Sequence, residues 1–215
     1  MPLQNRVTPF GDLVAVPEHG LMMGNRGVLH DDAQRIKRPW QLRRWIACVL
    51  EFRGRKRKVM QPHRYTELFF LDEATSFAAG HRPCAECRRA DYNRFRELWR
   101  RCVRGPAGAD DIDLRLDRER LDGKRGRART KRVYRADLSK LPDGTFVVAD
   151  GRAWLVWGDA LLAWSPGGYT EWRERGTHRD VDVLTPRSTV AIFSAGYRPA
   201  VHPSATARSS RSATR

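Results

Sequence analysis

The densest chemistry in this chain is the run His81-Arg82-Pro83-Cys84-Ala85-Glu86-Cys87. Two thiolates separated by two residues can turn to one side and hold one edge of a metal ion. A helix beginning there would favour their negative charge. The spacing therefore predicts that Cys84 and Cys87 approach each other as a metal pair at the start of a helix. Structural zinc takes four ligands, so this pair is half a site. Cys48, His63 and His81 are the candidates to extend it, with His30 more remote. Each has a second reading. Cys48 shares a strand face with Ile46, Leu50 and Phe52, where a buried apolar thiol is as reasonable as a ligand. His63 follows Pro62 just before a strand, a place where exposed histidines are common. His81 can coordinate, or can bind backbone or phosphate. Cys102 falls on an apolar helical stripe and is read as core. A thioredoxin-like redox pair lacks the βαβ pattern that would precede it.

A second cluster, His30-Asp31-Asp32, follows the loop Gly24-Asn25-Arg26-Gly27. These are hard ligands that could hold magnesium or manganese and activate water, with Asn25 and Arg26 contacting phosphate. The same residues would also serve as an ordinary helix cap. Trp154, Trp157, Trp164, Tyr169 and Trp172 could form a base-stacking surface, but their setting favours core for the first three. No P-loop, Rossmann fingerprint or nucleophile elbow is present, so nucleotide hydrolysis and serine esterase chemistry find no support.

The elements that must position these residues are legible in outline. Val7 to Val16, broken by Pro9 and Gly11, fits a short hairpin. Arg43 to Phe52 and Tyr65 to Leu71 read as strands. Asp72 caps a short helix that Gly80 ends, and Pro83 suits the first turn of the next. In that helix Tyr92, Phe95, Trp99 and then Cys102 or Val103 form one apolar stripe. Residues 106–140 are charged and poor in large apolar residues, and read as a connector with a short helix around Asp111 to Leu121. Beyond it, the runs at Phe146–Val148, Trp154–Trp157 and Ala160–Trp164 alternate with Pro-Gly and Asp-Gly turns, as short strands would. Thr185-Pro186 opens a last short helix, closed by Gly196. The tail from 203 to 215 is expected to be disordered. The expected architecture is α+β: a small antiparallel sheet carrying the CxxC helix in residues 1–105, and a β-rich unit over 141–202.

The run from Leu68 to Cys87, LFFLDEATSFAAGHRPCAEC, resembles the end of the metal-binding domain of Ada-type DNA repair proteins. That family has an aromatic strand, a short helix ending in Ala-Gly-aromatic-Arg-Pro, and then CxxC. The resemblance covers residues 65–91 and implies zinc ligation by Cys84 and Cys87, and nothing more. The family's two further cysteines, one of which accepts a methyl group from a DNA phosphotriester, have no counterpart here. The corresponding stretch, Lys58 to Tyr65, contains no cysteine, so the resemblance does not extend to methyl transfer.

Charge points to a nucleic-acid partner. Lys and Arg number 41 against 25 Asp and Glu, a formal excess of +16. Most of the basic side chains are Arg, which grips phosphate with two donors at once. Two basic clusters stand out: Arg53, Arg55, Lys56, Arg57 and Lys58, and then Lys124, Arg125, Arg127, Arg129, Lys131 and Arg132. The expected function is nucleic-acid binding, with DNA favoured over RNA, through these loops on a zinc-stabilised fold. The alternatives are a metal-dependent nuclease using His30, Asp31 and Asp32, and an interaction module whose charge keeps it soluble. The N-terminal MPLQNRVTPFGDL has no charged start leading into an apolar run, and no stretch is long and apolar enough for a membrane span. A cytoplasmic location is expected.

Overall fold

The computed structural model describes residues 1–55, 58–123, 129–176 and 180–206. The N-terminal sheet is built from β1 (Gln4–Val7), β2 (Leu13–Ala15), β3 (Met22–Asn25), β4 (Ile46–Cys48), β5 (Leu68–Phe70) and β6 (Arg82–Pro83). Their order across the sheet is β2-β1-β5-β3-β4-β6. The expected hairpin is present as β1 and β2. The sheet is mixed, however, and not purely antiparallel: β1 runs parallel to β5, and β4 runs parallel to β6. Parallel pairs require long crossover connections, and the segments between these strands supply them. Reading the chain strand by strand captures only the hairpin neighbours.

α1 (Glu73–Ala78) forms where its cap demands. The Asp72 carboxylate accepts from Thr75 N at 2.8 Å and from the Thr75 hydroxyl at 2.7 Å. Gly80 ends the helix with φ +97°, the left-handed conformation that favours glycine. It also lacks a side chain for a second reason: a Cβ there would lie 2.6 Å from Cδ of Arg120.

The next helix does not begin at Pro83. Arg82 and Pro83 are the edge strand β6, and α2 (Arg89–Cys102) starts after a turn. Proline has no N–H to give a ladder, so an edge strand accommodates it. Tyr92, Phe95, Leu98 and Trp99 are the buried stripe of α2. Cys102 is exposed, contrary to the core reading, and its thiol turns back to the Leu98 carbonyl at 3.0 Å. The helix ends there, and the extended Val103 enters the core in its place.

The charged stretch 106–140 is more than a connector. It contains α3 (Ala109–Arg120), whose Ile112 and Leu116 pack with Phe77, Phe95 and Trp99. The strand pair β7 (Leu121–Asp122) and β8 (Thr130–Lys131) follows it. Asp113 and Arg120 of α3 are buried as well.

The second sheet contains β9 (Tyr134–Asp137), β10 (Phe146–Ala149), β11 (Arg152–Trp157), β12 (Ala160–Ser165), β13 (Gly168–Glu174) and β14 (Asp180–Val183). Its order is β13-β12-β11-β10-β14-β9, antiparallel throughout. Side chains alternate between its faces. Phe146, Leu155 and Leu162 join one core with Leu71, Ala74 and Ala78 of the N-terminal half. Val147, Trp154, Val156 and Leu161 join another on the opposite face. Burial on both faces explains why these strands read as nearly continuous apolar runs. Trp157 and Trp164 are partly buried against the first core, and Trp172 is exposed. α4 (Arg187–Ser194) follows, and Gly196 turns the chain with φ +102°.

The start of the tail is ordered. Pro203–Ala205 is a turn of 3₁₀ helix, Ala205 enters the first core, and Ser204 Oγ accepts from Tyr169 N at 2.8 Å. Residues 207–215 lie outside the described part of the chain.

Candidate metal centre

Two neighbouring strands bring the three cysteines together. β4 pairs with β6 so that Ile46 opposes Arg82 and Ala47 opposes Pro83. The next residue in each case is a cysteine, Cys48 ending β4 and Cys84 following β6, and Cys84 N donates to the Ala47 carbonyl at 2.9 Å. Cys48 and Cys84 are thereby placed side by side. The turn after β6 then closes, with Arg88 N donating to the Cys84 carbonyl at 3.1 Å, and carries Cys87 back towards them. The three sulfur atoms lie within 4.8 Å of one another, and this is the one group of three or more potential ligands among the described residues. Cys48, Cys84 and Cys87 could hold a metal ion.

The site favours a thiolate. The Cys84 thiol is lowered to about 5, first by a hydrogen bond from Cys48, with the amides of Cys87 and Glu86 adding to it. Cys48 is pushed up because it donates to Cys84 and is desolvated. Cys87 is pushed up chiefly by burial. One thiolate flanked by two thiols is a donor set from which a metal would displace the remaining protons. A cavity of about 470 Å³, lined by Asn25, Phe52, Glu67, Phe69 and Glu86 among others, adjoins the sulfurs.

The other sequence candidates lie elsewhere. His81 is fully buried, with Arg26 Nε donating to its Nε2 at 3.3 Å and its Nδ1 facing the Ser76 carbonyl at 3.2 Å. A ring that accepts at Nε2 and donates at Nδ1 is neutral. Burial, with Arg26 and Arg120 nearby, holds its pKa well below the ordinary value. His63 is exposed, with φ +59°. Neither belongs to the cysteine group.

His30, Asp31 and Asp32 do not form a cluster of ligands. The His30 ring spans Thr66 Oγ1 at 2.6 Å and the Gln61 carbonyl at 3.2 Å, so both nitrogens are engaged. Asp31 accepts from the amides of Ala33 and Arg35, each at 3.0 Å, and pairs with the Arg35 side chain at 2.9 Å. These contacts make it a turn cap, although no helix begins there.

The basic clusters divide. Arg53, Arg55 and Lys58 are exposed, and Arg55 pairs with Glu86 at 2.9 Å. In the second cluster Arg132 pairs with Asp122 at 2.6 Å, whereas Arg129 and Lys131 turn inward. Lys56, Arg57, Lys124, Arg125 and Arg127 lie outside the described residues. Sequence reasoning did not single out Trp45 or Arg120. Trp45 is 2 % exposed, and the guanidinium groups of Arg26 and Arg120 lie 4.0 and 3.9 Å from its ring centroid. Arg120 sits in an ordinary charged helix end, and no local signal marks it as buried.

Fold and site together define an α+β protein with a three-cysteine centre capable of holding a metal ion. The chain matches no protein-family model, no curated protein and no solved structure. Among the described residues, no helix is long and apolar enough to cross a membrane.

Proposed function

We propose that the protein binds nucleic acid, DNA in preference to RNA, on an arginine-rich surface organised around a zinc centre. Three soft sulfur donors within 4.8 Å of one another suit zinc better than magnesium, calcium or manganese. With zinc bound to Cys48, Cys84 and Cys87, strands β4 and β6 and the turn before α2 are cross-linked at one point.

The observation that carries the nucleic-acid reading is the set of exposed cations flanking those cysteines along the chain. Arg43 and Arg44 precede β4, Arg53 and Lys58 follow it, and Arg89 opens α2 just after Cys87. None of the five forms an ion pair with another described residue. Surface cations not held in ion pairs are available to phosphates, and binding to them releases counterions.

The test is a gel shift with duplex DNA and with RNA of the same sequence, titrated in salt. Affinity for DNA should fall with salt at a log-log slope of roughly 0.9 per phosphate neutralised. Replacing Arg43, Arg44, Arg53 and Lys58 by Gln should weaken all DNA sequences alike and flatten that slope. Binding that ignores salt, or an unchanged slope in the variant, would sink the proposal; tighter binding to RNA would overturn the preference.

A further inference from the structure

A second pocket, of about 660 Å³, lies where the β1–β2 turn, the 36–40 loop, Trp45 and the chain around the end of α3 meet. It shares no lining residue with the cavity beside the cysteines. Arg26, Arg120, Arg129 and Lys131 all line it. Arg26 and Arg120 are 1 % and 0 % exposed. Burying a charge costs several kcal/mol unless it is paired. Arg129 meets Asp117 at 3.0 Å, and Arg120 lies 3.6 Å from the same carboxylate. Arg26 and Lys131 have no ion pair with any described residue.

Apart from the bond from Arg26 Nε to His81, their hydrogen bonds go to backbone oxygens. Arg26 Nη1 donates to the Gly11 carbonyl at 2.8 Å and the Pro39 carbonyl at 3.4 Å, and Lys131 donates to Ala78. Three buried guanidinium nitrogens here have no acceptor: Arg26 Nη2, Arg120 Nε and Arg129 Nε. Arg26 Nη2 stands against the pocket wall, 3.7 Å from where a Cβ on Gly11 would be. The carboxylates nearby are Asp12, in the wall, the shared Asp117, and Asp113, which is committed to Arg82. Burial and mutual repulsion hold Arg26 down to about 9, and Lys131 down to about 7. Arg120 is likewise lowered to about 9, chiefly by burial. A bound anion would relieve both effects. Stacking on Trp45 fixes the two guanidinium groups in advance, so little ordering remains to be done on binding.

We propose that this pocket binds the phosphoryl group of a nucleoside phosphate, free or at the end of a nucleic-acid strand. A tetrahedral oxyanion accepts donors from several directions, which suits cations converging from the residue after β3, the end of α3, and β8. The lining also contains Phe10, Ile36 and Trp40, apolar surface on which a base can lie. The exposed Lys37 and Arg38 stand among the lining residues to draw the anion in. This site is distinct from the surface proposed above, and either can exist without the other.

Calorimetry with inorganic phosphate, adenosine monophosphate, and one short oligonucleotide carrying either a phosphate or a hydroxyl at its end tests the proposal. Adenosine monophosphate or the phosphorylated oligonucleotide should bind saturably and more tightly than inorganic phosphate. Lys131→Met removes one charge while keeping the stem, and should weaken that binding roughly tenfold or more. Asp12→Asn removes the carboxylate in the wall and should tighten it, which a merely misfolded pocket would not do. A terminal phosphate that strengthens oligonucleotide binding in a Lys131-dependent manner identifies a strand end as the ligand. Binding of the mononucleotide without that gain identifies a free nucleotide. No saturable binding of any phosphorylated compound, or equal binding by wild type and Lys131→Met, overturns the proposal. Duplex binding that persists in that case leaves the surface reading intact.

Discussion

Cys48 shows how much one residue's meaning depends on its neighbours. In sequence it stands 36 positions before Cys84 and suits an apolar strand face equally well. In the fold its sulfur lies within 4.8 Å of those of Cys84 and Cys87 and completes the trio. Cys102 makes the opposite journey, from an expected core position to an exposed helix end. The two cysteines therefore predict opposite results. On the proposed zinc centre, Cys48→Ser should reduce the metal content as severely as Cys84→Ser, because each would remove one of the three sulfur donors. Cys102→Ser should leave zinc content and melting temperature unchanged. Elemental analysis of the purified variants decides this, and retention of a full zinc equivalent by Cys48→Ser would rule out the three-cysteine centre.

At the scale of elements, α3 is held to the N-terminal sheet by charge as well as by packing. Arg82 of β6 forms a two-pronged pair with Asp113 of α3, at 2.8 and 2.7 Å, with the side chains 2 % and 4 % exposed. Burial pushes the Asp113 carboxyl up, with Arg82 working against it. Arg82 also precedes the cysteine turn, so the pair steadies the strand that presents Cys84. Asp113→Ala should destabilise the protein by about 3–5 kcal/mol, because it strands a buried guanidinium. Replacing both partners, Arg82→Met with Asp113→Leu, should recover much of that loss. Urea denaturation of the single and double variants measures both, and additive losses would mean that the pair is not coupled.

Across the whole molecule, the two sheets are joined by a buried polar network at the start of α1. Asp72 accepts from the Tyr169 hydroxyl at 2.7 Å and from His202 N at 2.9 Å, in addition to capping its own helix. Glu73 accepts from Arg88 at 2.5 Å, from the Tyr197 hydroxyl at 2.8 Å and from Ala200 N at 2.9 Å. Phe77 of α1 packs against Phe193 and Tyr197 of the C-terminal half, with ring centroids 5.3 and 5.4 Å apart. These contacts predict a single cooperative unfolding transition, seen at the same denaturant concentration by tryptophan fluorescence and by far-ultraviolet circular dichroism. A fragment ending at residue 105 should show no cooperative transition, because α1 would expose the faces that the second sheet and α4 cover. Two separated transitions, or a stably folded fragment, would show that the halves are independent.

Local chemistry was legible in the sequence wherever one residue's conformational preference decides the outcome. The Asp72 cap, the glycine stops at Gly80 and Gly196, the β1–β2 hairpin and the run of strands from β10 to β12 all follow from side chains acting on their own backbone. The metal pair Cys84 and Cys87 was legible for the same reason, since two intervening residues fix its span. Tertiary structure alone decided which partner joined it. Cys48 enters because β4 and β6 pair in parallel, a contact across more than thirty residues that no short-range pattern encodes. The same holds for Arg26, Arg120 and Lys131, each of which looks like a solvent-facing cation until three elements close around it. Charge is carried by the residue, but burial belongs to the fold. Chemistry that depends on buried charge therefore becomes visible only once the chain is packed.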